Sequence, residues 1–290
     1  MMRARLAAVF LLAMAAPGLV AGPAGAVDLP AASEPLLTVP PVPSARAPRP
    51  AAADAATYER CMSLAGHDAA AAKKLALGWQ ARGGAHPAEH CLAVALIGLQ
   101  QYKEAASRLE TLAQAMVRAP EALRAEVLDQ AGQAWLLAGD PGRAYEAGGR
   151  ALSLRPNDPD LLVDRAEAAG AAGWFDKALA DLDRALKAHP ERLDALIYRA
   201  TAYRELGRLD PALADVDAAL ALAPDSVPAL LERGNIRRLR GDVEGARADW
   251  GKAAALAPGS AAEAAARANI ERLAIPQQLP PAAKPPAGGG

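Results

Sequence analysis

Four prolines, Pro156, Pro190, Pro224 and Pro258, follow one another at strict 34-residue intervals. Four glycines keep the same period: Gly139, Gly173, Gly207 and Gly241. So do two sets of alanines, Ala144, Ala178, Ala212 and Ala246, then Ala151, Ala185, Ala219 and Ala253. A period of this length, with small residues at fixed offsets and a closing proline, prescribes stacked helical hairpins. Such hairpins bury their apolar faces only against their neighbours. The expected fold class is all-α, and the expected kind of function is binding rather than catalysis.

With each proline as position 32, the repeats are 125–158, 159–192, 193–226 and 227–260. Helix A spans roughly positions 2–14 and helix B roughly 18–31. Position 8 holds Gly132, Ala166, Ala200 and Gly234, and position 20 the first alanine set. Only small side chains fit where the two helices of a hairpin cross. Glycine at position 15 supplies the left-handed residue that ends helix A, and proline at 32 prevents helix B from continuing. Large apolar residues recur at position 4 (Leu128, Leu162, Leu196, Leu230) and at 24 (Leu182, Val216, Trp250, with Gly148 the exception). Position 11 carries Trp135, Ala169, Tyr203 and Arg237.

Over 125–258 these residues resemble the tetratricopeptide repeat family. The resemblance implies a right-handed α-solenoid of tandem 34-residue helix-turn-helix units with a concave groove. Residues 86–119 look like a degenerate further unit, with Ala93, Leu96 and Ala105 at positions 8, 11 and 20. That unit departs at Leu112, lacks the closing proline and is expected to have a longer second helix. Residues 261–275 are expected to form the capping helix that a solenoid end needs.

Upstream, residues 54–124 are expected to be a helical extension. Asp54 to Ala65 carries Tyr58, Cys61, Met62 and Ala65 as one apolar stripe. A second helix runs from an Asp68 cap to Arg82, where Gly83-Gly84 stops it; a third starts with Pro87 in its first turn and ends near Leu99; a fourth spans 103–118. Residues 27–53 and 276–290 are rich in proline and read as disordered linker and tail.

The first 26 residues read as an export signal: Arg3 and Arg5, an apolar stretch from Leu6 to Val20, then Ala24-Gly25-Ala26, with cleavage after Ala26. Retention as a short anchor is the alternative, although Pro17 and Gly18 interrupt the stretch. Export places the mature chain in an oxidising, periplasmic setting, where Cys61 and Cys91 read first as a disulfide. Two buried free thiols, or a metal site recruiting His67, His86 and His90, are the competing readings. The formal net charge of −1 supplies no field for nucleic acid.

Two sets of polar residues are candidate sites. Position 7 is Arg165, Arg199 and Arg233, and position 23 is Asp181, Asp215 and Asp249. The family commonly has a large aliphatic residue at position 7, so these sets are read as structural Arg–Asp ion pairs joining helix A to helix B. A charged ligand site is the alternative. The resemblance assigns the groove to helix A positions 2, 5, 9 and 12. The polar ones are Glu126, Asp129, Gln133, Asp160, Glu167, Asp194, Thr201, Arg204, Asn235 and Arg238. The wall is thus acidic early and basic late, a polarity that would steer a peptide. Of the family residues that clamp a chaperone's C-terminal carboxylate, Asn235 alone matches and the lysines are missing.

Catalysis finds no motif. His189 has no paired nucleophile, His90 and Cys91 point about 100° apart on a helix, and no phosphate loop or hydrolase signature is present. The sequence thus reads as a non-catalytic, cofactor-free interaction scaffold of the cell envelope, binding another protein or peptide. No nucleic acid and no membrane span in the mature form are expected. The alternatives are a self-associating module, with Trp174 and Trp250 as contacts, and a redox or enzyme accessory protein using Cys61 and Cys91.

Overall fold

The computed structural model describes residues 52–274. The signal, most of the linker and the tail expected from the sequence lie outside the described residues. Those described form thirteen α-helices and no strand. They are α1 (Ala52–His67), α2 (Ala69–Gln80), α3 (Ala85–Gly98), α4 (Tyr102–Ala115), α5 (Glu121–Leu137), α6 (Pro141–Leu154), α7 (Pro159–Ala171), α8 (Phe175–Ala188), α9 (Leu193–Glu205), α10 (Leu209–Leu222), α11 (Val227–Leu239), α12 (Val243–Leu256) and α13 (Ala261–Ala274).

Each helix packs on the next, so α5/α6, α7/α8, α9/α10 and α11/α12 are the four hairpins. Successive A helices also touch: α5 with α7, α7 with α9, α9 with α11, and α11 with α13. The B helices meet one another far less. A stack whose A layer is packed more closely than its B layer curves toward A, and this makes the A helices the inner wall. One apolar core runs from Cys61 to Ala266 through all the hairpins. The position 4 leucines are buried in it, as are Leu182, Val216 and Trp250.

The hairpin turns are repeated closely. Gly139, Gly173, Gly207 and Gly241 have φ of +73°, +74°, +71° and +85°. The residue after each glycine donates its N–H to the carbonyl five residues back, as Trp174 does to Ala169 at 2.8 Å. This six-to-one bond satisfies carbonyls that the helix end would otherwise leave open. The degenerate unit makes the same stop without glycine. Gln100, at its position 15, has φ +59°, and Gln101 donates to the Leu96 carbonyl at 2.9 Å.

Where hairpin helices cross, the alanines at position 20 are buried throughout. A Cβ on Gly234 would meet the Trp250 ring at 2.4 Å. The largest residue at position 24 is therefore matched by the smallest at position 8 of the same repeat. Gly148, the exception at position 24, leaves room for the Arg165 side chain, whose Cβ would lie 3.0 Å from an added methyl. Trp250 is a core residue with its indole N–H on the Leu231 carbonyl at 3.2 Å, which removes it as a self-association contact.

Several boundaries differ from the sequence reading. α5 begins at Glu121, five residues before the expected start, because Pro120 caps it with an extended ψ of 140°. α4 ends at Ala115 rather than 118 and is no longer than the other B helices. Pro120 bars Ala119 from helical geometry, and the 116–119 turn closes with Ala119 donating to the Met116 carbonyl. α1 extends a little beyond both expected ends, and α13 ends at Ala274.

Candidate interaction surface

Three Arg–Asp pairs sit between A and B helices, and each is bidentate. Arg165 Nε and Nη2 donate to Asp181 at 2.7 and 2.6 Å. Arg199 does so to Asp215 at 2.7 and 2.8 Å, and Arg233 to Asp249 at 2.9 and 2.7 Å. The three carboxylates are buried. The bond to the carboxylate raises the proton affinity of each arginine, so each guanidinium keeps its charge. Two of the arginines reach further. Arg199 Nη1 donates to Asp183 at 2.8 Å and Arg233 Nη1 to Asp217 at 3.0 Å, each on helix B of the preceding repeat. One guanidinium thereby ties three helices together. Position 25, which carries Asp183 and Asp217, went unread in the sequence although the two residues are 34 apart. At Arg165 the equivalent residue is Gly149, so the ladder stops there. The described Nε and Nη donors of these arginines are taken up by carboxylates of the fold, two of them the exposed Asp183 and Asp217.

The polar residues assigned to the inner wall separate into three groups. Glu126 and Asp129 are half-buried near the start of the wall, with Asp129 accepting from Gln133 at 3.0 Å. Asp160 and Asp194 share Arg192, which binds them at 2.7 and 2.8 Å, so the acidic half is partly neutralised. Gln133 and Glu167 are buried. Glu167 bonds Tyr198, and burial followed by the Asp164 charge pushes its pKa up to about 8. The fully buried Thr201 donates to the Ile197 carbonyl of its own helix at 3.0 Å. Its placement on the groove surface is corrected: the side chain has no exposed area and its hydroxyl is satisfied within α9. Arg204 is also corrected, as a structural residue. It binds the fully buried Glu232 at 2.6 Å and Glu205 at 2.6 Å.

Asn235 and Arg238 remain accessible on α11. The cap extends them: Asn269 on α13 donates to Asn235 at 3.3 Å, and Arg272 donates to Asn269 at 2.5 Å. Asn269 and Arg272 lie one period after Asn235 and Arg238, a signal available in the sequence once α13 is read as a further A helix rather than only as a cap.

In the N-terminal region Cys61 and Cys91 are joined by a disulfide, with Cα atoms 6.1 Å apart. Both are fully buried, so a thiol partner has no access without local opening. His90 turns away from Cys91. Its Nε2 donates to Gln130 Oε1 at 2.8 Å and its Nδ1 accepts from the Tyr58 hydroxyl at 2.8 Å. Burial lowers its pKa and keeps it neutral. Among the described residues no cluster of metal-ligating side chains occurs and no helix is long and apolar enough to cross a membrane. Trp174 is partly exposed, edge-on to Tyr145 at 5.4 Å, with Lys177 4.0 Å over its ring.

Residues 163–227 and 200–261 match the tetratricopeptide repeat family. Among solved structures, TTC0263, a tetratricopeptide repeat protein of Thermus thermophilus, is 23% identical over 66% of this chain and all of its own, with a TM-score of 0.52. MamA from Desulfovibrio magneticus RS-1 is 21% identical over 59% of this chain and 94% of its own, with a TM-score of 0.52. A chain of the Cut9-Hcn1 hetero-tetramer matches 76% of this chain with 42% of its own, at 15% identity and a TM-score of 0.57. None of the curated proteins matches the chain. The family model thus matches residues 163–261, and the described residues have the all-α helical repeat solenoid fold of the tetratricopeptide repeat structures they resemble.

Proposed function

We propose that this tetratricopeptide-repeat chain is an exported, non-catalytic scaffold of the cell envelope that holds a peptide segment or partner protein on its inner wall. The carrying observation is the division of labour among its polar residues. The Arg–Asp ladder, Arg204 and Thr201 are consumed by the fold, whereas Asn235, Arg238, Asn269 and Arg272 form an accessible strip on two adjacent A helices. The hetero-tetrameric Cut9-Hcn1 assembly is an example of this fold within a multi-protein complex.

Export draws support from the first 26 residues and from the buried disulfide, which an oxidising compartment maintains. Sequencing the mature N-terminus after expression in a bacterial envelope should begin at Val27. A protein starting at Met1 in the membrane fraction would replace cleavage with anchoring.

The wall itself is tested by placing a photo-crosslinking residue at Glu126 or Asn235, and at Arg184 on the B layer as control. In envelope extract the two wall positions should give the same protein adduct and Arg184 should not. Adducts from Arg184 alone would move the interaction to the B layer and sink the wall assignment.

A further inference from the structure

Arg204, Arg238 and Arg272 stand one repeat apart, on α9, α11 and α13. They are not equivalent. Arg204 is neutralised by Glu232 and Glu205, and Arg272 donates to Asn269 and to the Ala268 carbonyl. Arg238 is exposed on its turn of α11 and has no hydrogen bond or ion pair among the described residues. Partial burial, Arg272 and Arg204 all disfavour its charge. A guanidinium held between two others without a counter-ion is a cost to the isolated fold, and an anion arriving there removes it.

The spacing restricts which anion. α11 and α13 are in contact, so their axes lie about 8–10 Å apart. One phosphate does not span that distance, but two carboxylates on one chain do. In a β-strand, residues three apart face opposite ways. In polyproline II they share a face and lie about 9 Å apart. The linked amides of Asn235 and Asn269, one turn before the two arginines on the same helices, offer donors and acceptors to the exposed backbone of such a peptide, which makes no internal hydrogen bonds.

We propose that Arg238 and Arg272, with Asn235 and Asn269 one turn before them, bind an acidic peptide segment in polyproline II conformation whose carboxylates are three residues apart. This rests on the inner-wall scaffold reading and names the chemistry of its partner.

The test uses the mature chain and fluorescein-labelled, end-capped twelve-residue Pro/Ala peptides carrying two glutamates. Anisotropy titrations at low salt should show tightest binding for the i,i+3 peptide. The i,i+2 peptide should bind more weakly, the glutamine version should not bind, and affinity should fall with salt. Arg238→Gln should weaken the i,i+3 peptide about tenfold, as expected for one lost charge-assisted contact, while the thermal unfolding temperature of the free protein rises slightly or stays level because an uncompensated charge is removed. Arg238→Lys should recover part of the affinity, because it restores charge but not the fork. Equal binding of the i,i+2 and i,i+3 peptides overturns the spacing argument. No response to Arg238→Gln overturns the site. Displacement of the peptide by inorganic phosphate or by phosphatidylglycerol vesicles at equal charge concentration makes it a general anion site and overturns the peptide assignment. If wall crosslinking persists while the glutamate peptides fail, this proposal falls and the scaffold reading stands; if both fail, both fall.

Discussion

The regular array and the N-terminal region share the hairpin plan but are held together by different chemistry. From α7 to α12, each junction carries a charged rung: Asp183–Arg199–Asp215, then Asp217–Arg233–Asp249. From α1 to α5, among the described residues, no arginine bridges carboxylates of two other helices; the charged link between helices there is single, from Arg108 on α4 to Glu89 on α3 at 2.9 Å. A disulfide ties α1 to α3, and a neutral chain of hydrogen bonds joins Tyr58, His90 and Gln130 across α1, α3 and α5. A repeat inside a solenoid is stabilised from both sides, whereas an end unit has one neighbour and a decayed pattern. A covalent link and a buried neutral network take over where periodic packing weakens.

The largest test of this comparison is removal of the disulfide. Cys61→Ala with Cys91→Ala opens a loop of sequence separation 30 and should lower unfolding free energy by about 3–4 kcal/mol in urea melts. Hydrogen exchange should rise in α1 and α2 and stay low in α7 to α12. Uniform exchange through the whole chain would mean that the two regions unfold as one unit.

Next comes the central rung. Asp215→Ala leaves Arg199 half-buried without its bidentate partner, with an expected loss of about 2–3 kcal/mol. Asp183→Ala removes only the exposed bond from the same arginine and should cost about 1 kcal/mol or less. Equal losses would show that the link between repeats matters as much as the link within one.

A smaller effect compares helix stops. Gln100 holds the left-handed conformation that glycine holds in the array. Gln100→Gly should stabilise by about 1 kcal/mol and Gly173→Ala should destabilise by a similar amount. A thermal melt of each variant reads the sign.

The pH dependence separates the two regions by the direction of its slope. Glu167 has a folded pKa raised to about 8 by burial. Its stabilising contribution is full below the unfolded carboxylate range and is lost as pH rises toward 8. His90 has a lowered folded pKa, so its contribution is present above the unfolded histidine range and is lost as pH falls below about 6.5. Glu167→Gln should flatten the alkaline side of a stability profile and His90→Gln the acid side. A single slope removed by neither variant would assign the pH dependence elsewhere.

The fold was largely legible in the sequence because it depends on residues whose role is local. Glycine at 15 and proline at 32 act through their own backbone torsions, and alanine at 20 through its size. The Arg–Asp pairing was legible as a coincidence of period, sixteen residues apart in three repeats. The wall was much less legible. Position 9 holds Thr201 and Asn235 in neighbouring repeats, yet one is fully buried and the other accessible. Position 12 holds Arg204 and Arg238, yet only Arg204 finds Glu232, an acid from the next repeat, at 2.6 Å. Helical position gives the direction a side chain leaves its own helix, but accessibility depends on what the adjacent repeat presents.

The sequence by itself determined the period, the hairpin, the helix stops and the crossing points, since these follow from backbone geometry and residue volume repeated every 34 positions. Only the tertiary structure decided which arginines are consumed by carboxylates and which is left exposed between two like charges. Ion pairing and burial are properties of two or three helices brought together, and no single helix records them.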